Sequence, residues 1–465
     1  MNITVISQNG KIDLEFKNGE SLYDVLVRGG FEITAPCAGN GTCGKCMVEV
    51  DGEKRLACQT LAQDNMRVCI PQKANAEILT QGCTVDIDVK GEGYAAAVDM
   101  GTTTVAACLY DLSTGVKKSV YAQENKQKSY GADVISRSEQ SEYMHELAVN
   151  QINEIIRSFG VKINKLTIAG NTIMQHFTLG LDARPITVAP FTPVTTALEI
   201  RTGSQLNINA DNIHVLPGIS GYVGADIVAG VIATGLHKAE KPCILLDIGT
   251  NGEIVIGSKD GIYCCSAAAG PAFEGASINC GMSGIEGAVN SVFIKDGEIK
   301  YTTISNKPPI GICGSGILDA VAEFLKNDII DETGYLEEDV RICENVVITP
   351  KDIREVQLAK AAIAAGISTL MKKTGISLDE IETLYLAGGF GNYLNKDSAA
   401  AIGLIPAALL KRVKPVGNSA LAGCSMAALD DTYEKEAVII AKNANYIELS
   451  CDMDFQNEYV EHMMF

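Results

Sequence analysis

The sequence predicts a small α+β unit followed by a two-lobed α/β body, and three observations carry that reading. Four cysteines, Cys37, Cys43, Cys46 and Cys58, stand close together as C-x5-C-x2-C-x11-C between short strand patterns. An apolar strand ending in D-x-G-T occurs twice, over 95–104 and again over 243–252. Strand and helix patterns alternate after each copy, as expected where helices cover a mostly parallel sheet. The expected organisation is a first unit over 1–83, a connector over 84–94, one lobe over 95–238 and a second over 239–465.

Composition bounds the possibilities. A chain of 465 residues, 46% hydrophobic and 20% charged, has room for several cores. Its formal net charge is −19 and no run of Lys or Arg exceeds two. Such a surface repels phosphate backbones, so nucleic acid is not an expected partner. The opening Met1-Asn2-Ile3-Thr4-Val5 has neither the basic stretch nor the apolar core of a secretory signal. No apolar run reaches the ~18 residues of a membrane span, so no membrane association is expected. The 15 cysteines are an odd number without an export pattern, which argues against a disulfide framework. A reducing, anaerobic cytoplasm is the expected setting.

Residues 3–7 and 11–16 alternate around Asn9-Gly10, a two-residue hairpin signal. Positions 21–27 read as a short helix with Leu22, Val25 and Leu26 on one face. After the cysteine loop come a strand over 47–50, the turn Asp51-Gly52, a return strand delivering Cys58, and a strand over 66–70. A small sheet wrapped on one helix is a β-grasp pattern.

Three thiolates on one loop and a fourth from the next strand are how a [2Fe–2S] cluster is caged. The plant-type rule is C-x4-C-x2-C with a distant fourth Cys, and this chain has one more residue in the first gap. The intervening Ala38-Gly39-Asn40-Gly41-Thr42 is small enough to aim backbone N–H groups at sulfur, which tunes the potential. Zinc sites pair two short C-x2-C units, which a three-plus-one split fits badly. The same loop reads G-x4-G-K over 39–45, nearly a phosphate loop. Cys46 stands where Ser or Thr is required, however, and a strand follows in place of a helix. The remaining cysteines read as small buried apolar side chains.

The repeated formula has its own chemistry. Backbone N–H groups of a tight turn and Thr hydroxyls meet phosphate oxygens, while a carboxylate at the strand end holds hydrated Mg2+. Two such hairpins facing across a cleft would grip a nucleotide's phosphates from both sides. Asp99 and Asp247 are the candidates for Mg2+; Gly101, Thr102, Thr103, Thr104, Gly249, Thr250, Asn251 and Gly252 are those for phosphate. Gly388, Gly389 and Gly391 lie in a Gly-rich turn after an apolar strand, where backbone can lie flat against adenine or ribose. Gly314, Ser315 and Gly316 lead into a helical stretch over 317–325, a start suited to an anion or ring edge. Further helices are expected over 147–159, 353–371 and 397–411. Asp133, Asp226 and Glu274 are candidates for the carboxylate that orients a hydrolytic water. The five histidines are isolated in sequence, and no metal role is expected of them.

The paired hairpins and the Gly388-Gly389-Phe390-Gly391 turn resemble the acetate/sugar kinase–chaperone–actin ATPases, with two RNase H-like lobes. Longer stretches are similar to one branch, the ATP-dependent reductive activators of corrinoid proteins. They are YGADVISR over 130–137, AGNTIM over 169–174, GYVGAD over 221–226, AGPAFEG over 269–275 and IGLIP over 402–406. An N-terminal ferredoxin-like domain also matches that family's arrangement. Longer members place an extra small domain where this chain has only its connector, which leaves their dimer contacts open here.

The resemblance implies a repair reaction. One electron from a low-potential donor enters the cluster and passes to inactive Co(II) in a methyl-transferring corrinoid protein, regenerating Co(I), with ATP driving the complex. An acceptor about 100 mV below a cluster near −400 mV is uphill by about 2.3 kcal/mol. Differential binding of the partner's states can offset that. The small-residued stretch over 264–270 is a candidate surface for the corrinoid, with core packing as the plainer account. Three alternatives remain at this level: ATP-gated electron delivery to another metalloenzyme, as in 2-hydroxyacyl-CoA dehydratase activators; a small-molecule kinase with a redox-sensing domain; and a chaperone-like binding module.

Overall fold

A computed structural model describes every residue except 8, 9, 32, 34, 36–38, 40, 42–45, 71–86, 88, 90, 132 and 133. The turn expected at Asn9, part of the connector, Cys37, Cys43 and Asp133 lie outside the described residues.

The N-terminal unit is a five-stranded sheet of β1 (Asn2–Ser7), β2 (Gly10–Glu15), β3 (Met47–Val50), β4 (Glu53–Leu56) and β5 (Arg67–Cys69), in the order β2-β1-β5-β3-β4. Alternation buries Ile3, Val5, Val48 and Val68 against Val25 and Leu26 of the helix Leu22–Arg28. That helix starts where the Ser21 hydroxyl accepts the Asp24 N–H at 3.1 Å. Asp24 in its first turn and Arg28 in its last complement its dipole. This is the β-grasp that the pattern predicts.

The body repeats one sheet topology. In the first copy β6 (Tyr94–Met100), β7 (Thr104–Asp111) and β8 (Lys117–Glu124) form an antiparallel meander. Strand β9 (Ile163–Gly170) pairs parallel to β6, and β11 (Ala210–Val215) parallel to β9, with β10 (Glu199–Thr202) at the edge. In the second copy β12 (Cys243–Ile248), β13 (Gly252–Ser258) and β14 (Gly261–Ala267) form the meander. Strands Thr383–Ala387 and Val413–Gly417 extend it in parallel.

Alternation along β6 sorts the layers. Ala96, Val98 and Met100 pack with Ile152, Ile155 and Ile156 of the helix Ser141–Phe159. Ala95 and Ala97 face the helices Ala225–Thr234 and Ser419–Leu429. The first of these two helices also packs on Leu245 of β12 through Ile227, Val228 and Val231. The pair therefore lies between the two sheets. Their crossing is tight: a methyl added to Gly423 would sit 1.9 Å from the Ala229 carbonyl oxygen. Overpacking of that kind costs about 1–3 kcal/mol.

Three expectations are corrected. The Gly-rich segment after the strand Thr383–Ala387 is the helix Gly388–Tyr393 rather than a turn, entered by Gly388 at φ +82°. The expected helix over 397–411 is broken into Lys396–Ala401 and a 3₁₀ segment Ala407–Arg412. Gly403 at φ +74° and Pro406 separate them, and neither continues a helix. The stretch over 264–270 begins inside β14, where Cys264 and Cys265 are fully buried, so those thiols offer no docking surface. Among the described residues, no helix is long and apolar enough to cross a membrane.

Candidate nucleotide and cluster sites

Parallel strands present their carboxyl ends to ligands, and both D-x-G-T hairpins lie at that end of their sheets. They meet across a cavity of about 580 Å³ between the lobes. Its wall includes Asp99, Gly101, Thr102, Thr103 and Thr104 from the first hairpin, and Asp247, Gly249, Thr250 and Asn251 from the second. Asp226, Glu253, Glu274, Gly314, Ser315, Gly388 and Gly389 also line it.

Three glycines expected at the site stand behind the wall. A methyl at Gly252 would meet the Ile363 side chain at 2.7 Å, and one at Gly316 the Val289 carbonyl oxygen at 2.3 Å. Gly391 packs on Leu386. These positions accommodate neighbouring elements and do not face the cavity.

The cavity concentrates carboxylates. Each keeps an edge on the cavity yet sits deep in the protein, and burial is the first cause of every shift. Asp99 and Asp247 are both pushed up to about 7 and Asp226 to about 6, and Glu253 is raised well above the usual range. Mutual repulsion adds to burial: Asp226 raises Asp99, Asp247 and Glu253. Asn418 opposes it by donating from Nδ2 to Asp99 Oδ2 at 2.8 Å. Such a cluster fits a cation. Among the described residues no three acidic, His or Cys side chains cage an ion directly.

Glu274 reaches both hairpins. Its Oε2 accepts from the Thr250 hydroxyl at 3.1 Å and lies 3.4 Å from that of Thr103. Burial raises its pKa, while Lys128 and Arg137 oppose the rise. Beyond it, Phe273 stacks on Phe390 with centroids 4.7 Å apart and planes 9° apart. Gly314 opens the helix Gly314–Lys326 against that pair, since a methyl there would strike the Phe273 carbonyl oxygen at 1.9 Å.

Glu253, Asn418 and Asn171 were not singled out by the sequence. Asn171 donates to the Thr102 hydroxyl at 2.9 Å and caps the helix Thr172–Leu179. Asn418 likewise caps the helix Ser419–Leu429 through Leu421 N. Their visible signal is an Asn before an apolar helix. Nothing local marks them as cavity residues.

In the N-terminal unit, Cys46 ends the cysteine loop just before β3, and Cys58 lies in the turn Ala57–Gln59 after β4. The Ala57 N–H donates to the Cys46 carbonyl at 2.8 Å, which draws the two sulfurs to 3.2 Å. Gly39 and Gly41 take φ +84° and +77°, conformations that glycine adopts without strain. Two convergent thiols beside a Gly-turned loop fit iron–sulfur ligation.

A family model for the 2Fe-2S iron–sulfur cluster binding domain matches residues 6–63. One for the RACo middle region matches 94–239, and one for the C-terminal domain of RACo, the ASKHA domain, matches 241–465. The corrinoid activation enzyme RamQ of Eubacterium limosum is 30% identical, over 96% of this chain and 96% of that protein. The chain belongs to the RamQ and RACo family of corrinoid activation enzymes. The aligned 573 positions exceed this chain's 465, so that relative has segments without a counterpart here. A [Co(II) methylated amine-specific corrinoid protein] reductase of Methanosarcina barkeri is 26% identical over 79% of this chain and 76% of its own. A solved reductive activator for a corrinoid, iron–sulfur protein superposes with a TM-score of 0.72 at 28% identity, covering 100% of this chain and 98% of that one. The family thus joins a 2Fe-2S-binding domain to an ASKHA domain of the ATP-binding type.

Proposed function

We propose that this protein uses ATP to return the inactive Co(II) form of a corrinoid protein to Co(I), by transfer of one electron. The chain-length match to corrinoid activators supports this reading. One structural observation carries it: two phosphate hairpins close on a carboxylate-lined cavity in the same chain as a convergent thiol pair.

A [2Fe–2S] cluster, when bound, supplies the one-electron carrier between a low-potential donor and the corrinoid protein. Cys46 and Cys58, whose sulfurs lie 3.2 Å apart, would hold it, together with Cys37 and Cys43. Asp99, Asp226 and Asp247 would hold Mg2+ through its waters, which offsets their repulsion. Turn N–H groups and the hydroxyls of Thr102 and Thr104 bind phosphate oxygens, while those of Thr103 and Thr250 hold Glu274. Gly389, where an added methyl would meet nothing within 4 Å, leaves room for the nucleoside, while Gly388 lets the helix start pack against Asp247. Glu274, whose raised pKa suits a general base, accepts the proton of the water that adds to the terminal phosphorus as the bond to ADP breaks.

The test mixes anaerobic protein, chemical reductant, Mg-ATP and a Co(II) corrinoid protein. ATP-dependent growth of the Co(I) absorption band is expected. Cys46→Ser should abolish it while leaving ATP binding intact. Growth of the band without ATP, or unchanged by Cys46→Ser, refutes the reading.

A further inference from the structure

One continuous set of contacts joins the cysteine loop to the first D-x-G-T hairpin. It begins at Tyr23 on the helix Leu22–Arg28, a buried side chain of the β-grasp core. The Tyr23 ring lies under Gly39 of the cysteine loop, so close that a methyl there would sit 2.6 Å from Cδ1. The other end of the side chain leaves its own domain. Its hydroxyl donates to the carbonyl of Ser129, a residue 106 positions away in the first lobe.

Ser129 belongs to the 3₁₀ segment Lys126–Tyr130, and that segment is bolted to the hairpin. Asn125, almost fully buried, donates from its backbone to Thr103 O and from Nδ2 to Gly101 O, both at 2.8 Å. Arg137 continues the clamp, donating from Nη1 to Thr102 O and from Nε to Gly131 O, each at 2.8 Å. Three consecutive carbonyls of the phosphate turn are thus held by residues flanking the segment that Tyr23 grips. Gln127 locks the segment to the lobe by donating to Met144 O at 2.7 Å. Tyr130, next to Ser129, packs into the cores of both domains.

We propose that Tyr23 and Asn125 are positioning residues that couple nucleotide occupancy of the first hairpin to the cysteine loop. The inference rests on the proposed pairing of an ATP site with a [2Fe–2S] cluster, but not on the identity of the electron acceptor. Phosphate oxygens that draw on the N–H groups of Gly101–Thr104 reorient the peptide units whose carbonyls Asn125 and Arg137 hold. Segment Lys126–Tyr130 must follow, and the Ser129 carbonyl carries the movement to Tyr23 and to the loop against its ring.

Linkage gives a test with no corrinoid protein present. If ATP shifts the cluster's potential, cluster reduction must shift ATP affinity by the same factor. In the holoprotein, the Kd for a non-hydrolysable ATP analogue should differ on the order of fivefold or more between oxidised and dithionite-reduced forms. A tenfold ratio corresponds to a potential shift of about 59 mV. Tyr23→Phe keeps the ring under Gly39 and removes only the hydroxyl. It should retain the cluster's absorption and bring the ratio close to one. Tyr143→Phe removes the neighbouring hydroxyl contact to Tyr130, 2.9 Å long and internal to the lobe, and should preserve the ratio. Wild-type amide exchange supplies a readout independent of variant folding: the analogue should slow exchange in both 22–31 and 125–131. A wild-type affinity ratio of one, an undiminished ratio in Tyr23→Phe, or protection confined to 125–131 each overturns the proposal. A coupled protein that fails to reduce Co(II) would instead refute only the corrinoid assignment.

Discussion

The two D-x-G-T hairpins share a formula and differ by one residue of register. In the first, Met100 pairs with Val105 and Asp99 faces Ala106. In the second, Ile248 pairs with Gly252, so the connection is one residue tighter and Asp247 faces Glu253. Two carboxylates therefore stand abreast in the second hairpin. In the first, one carboxylate stands beside a methyl and receives the Asn418 amide. A duplicated motif has produced unlike halves: Asp99 receives an amide donor from within the protein, and Asp247 stands beside a second carboxylate.

The harshest way to break this comparison is to make the halves alike. Ala106→Glu would place a second buried carboxylate beside Asp99, where the Asn418 amide is already committed. An uncompensated buried charge costs about 3–5 kcal/mol, so the melting temperature should collapse in thermal denaturation. Asp247→Asn comes next, with ATP hydrolysis expected to fall about 100-fold, or about 2.7 kcal/mol. Asp99→Asn should cost less, about tenfold, because the Asn418 amide keeps an acceptor. Steady-state hydrolysis rates decide, and equal losses would erase the asymmetry.

Glu253→Gln sharpens the comparison in the opposite direction. It relieves repulsion on Asp247 and should stabilise the Mg2+-free protein by about 1 kcal/mol, seen as a higher melting temperature. The gain should shrink once Mg-ATP is added. A smaller effect concerns pH at His176, on the helix Thr172–Leu179. His176 is buried, with Nδ1 2.7 Å from Thr172 O and Nε2 accepting the Val194 N–H at 3.0 Å. Burial holds its pKa below the ordinary 6.5. The unfolded chain takes up this proton first, so stability is lost as pH falls through 6.5 toward the depressed value. His176→Leu should reduce the difference between melting temperatures at pH 7.5 and pH 5.5.

Much of the architecture was legible because its signals are short-range. Strand alternation, the Ser21 cap and the D-x-G-T turns each follow from a few neighbouring residues and their dihedral preferences. The cysteine spacing reported a cluster loop, and the resemblance to corrinoid activators holds along the chain. The misread elements were also local, but ambiguous. Gly388-Gly389-Phe390-Gly391 reads as a turn by propensity, yet tertiary packing gives it helical form. Cys264 and Cys265 read as a small-residued loop, yet strand pairing buries them.

By itself, the sequence determined the elements, the duplication and the residue types that each hairpin brings to its turn. Only the tertiary structure decided which carboxylates face one another, since a single step of register moves Glu253 opposite Asp247. It also decided that Asn418 reaches Asp99 from 319 positions away and that Tyr23 grips Ser129 across 106. Such contacts are set by how whole layers stack. Hydrophobic burial drives that stacking without regard to sequence distance, so no local pattern can announce them.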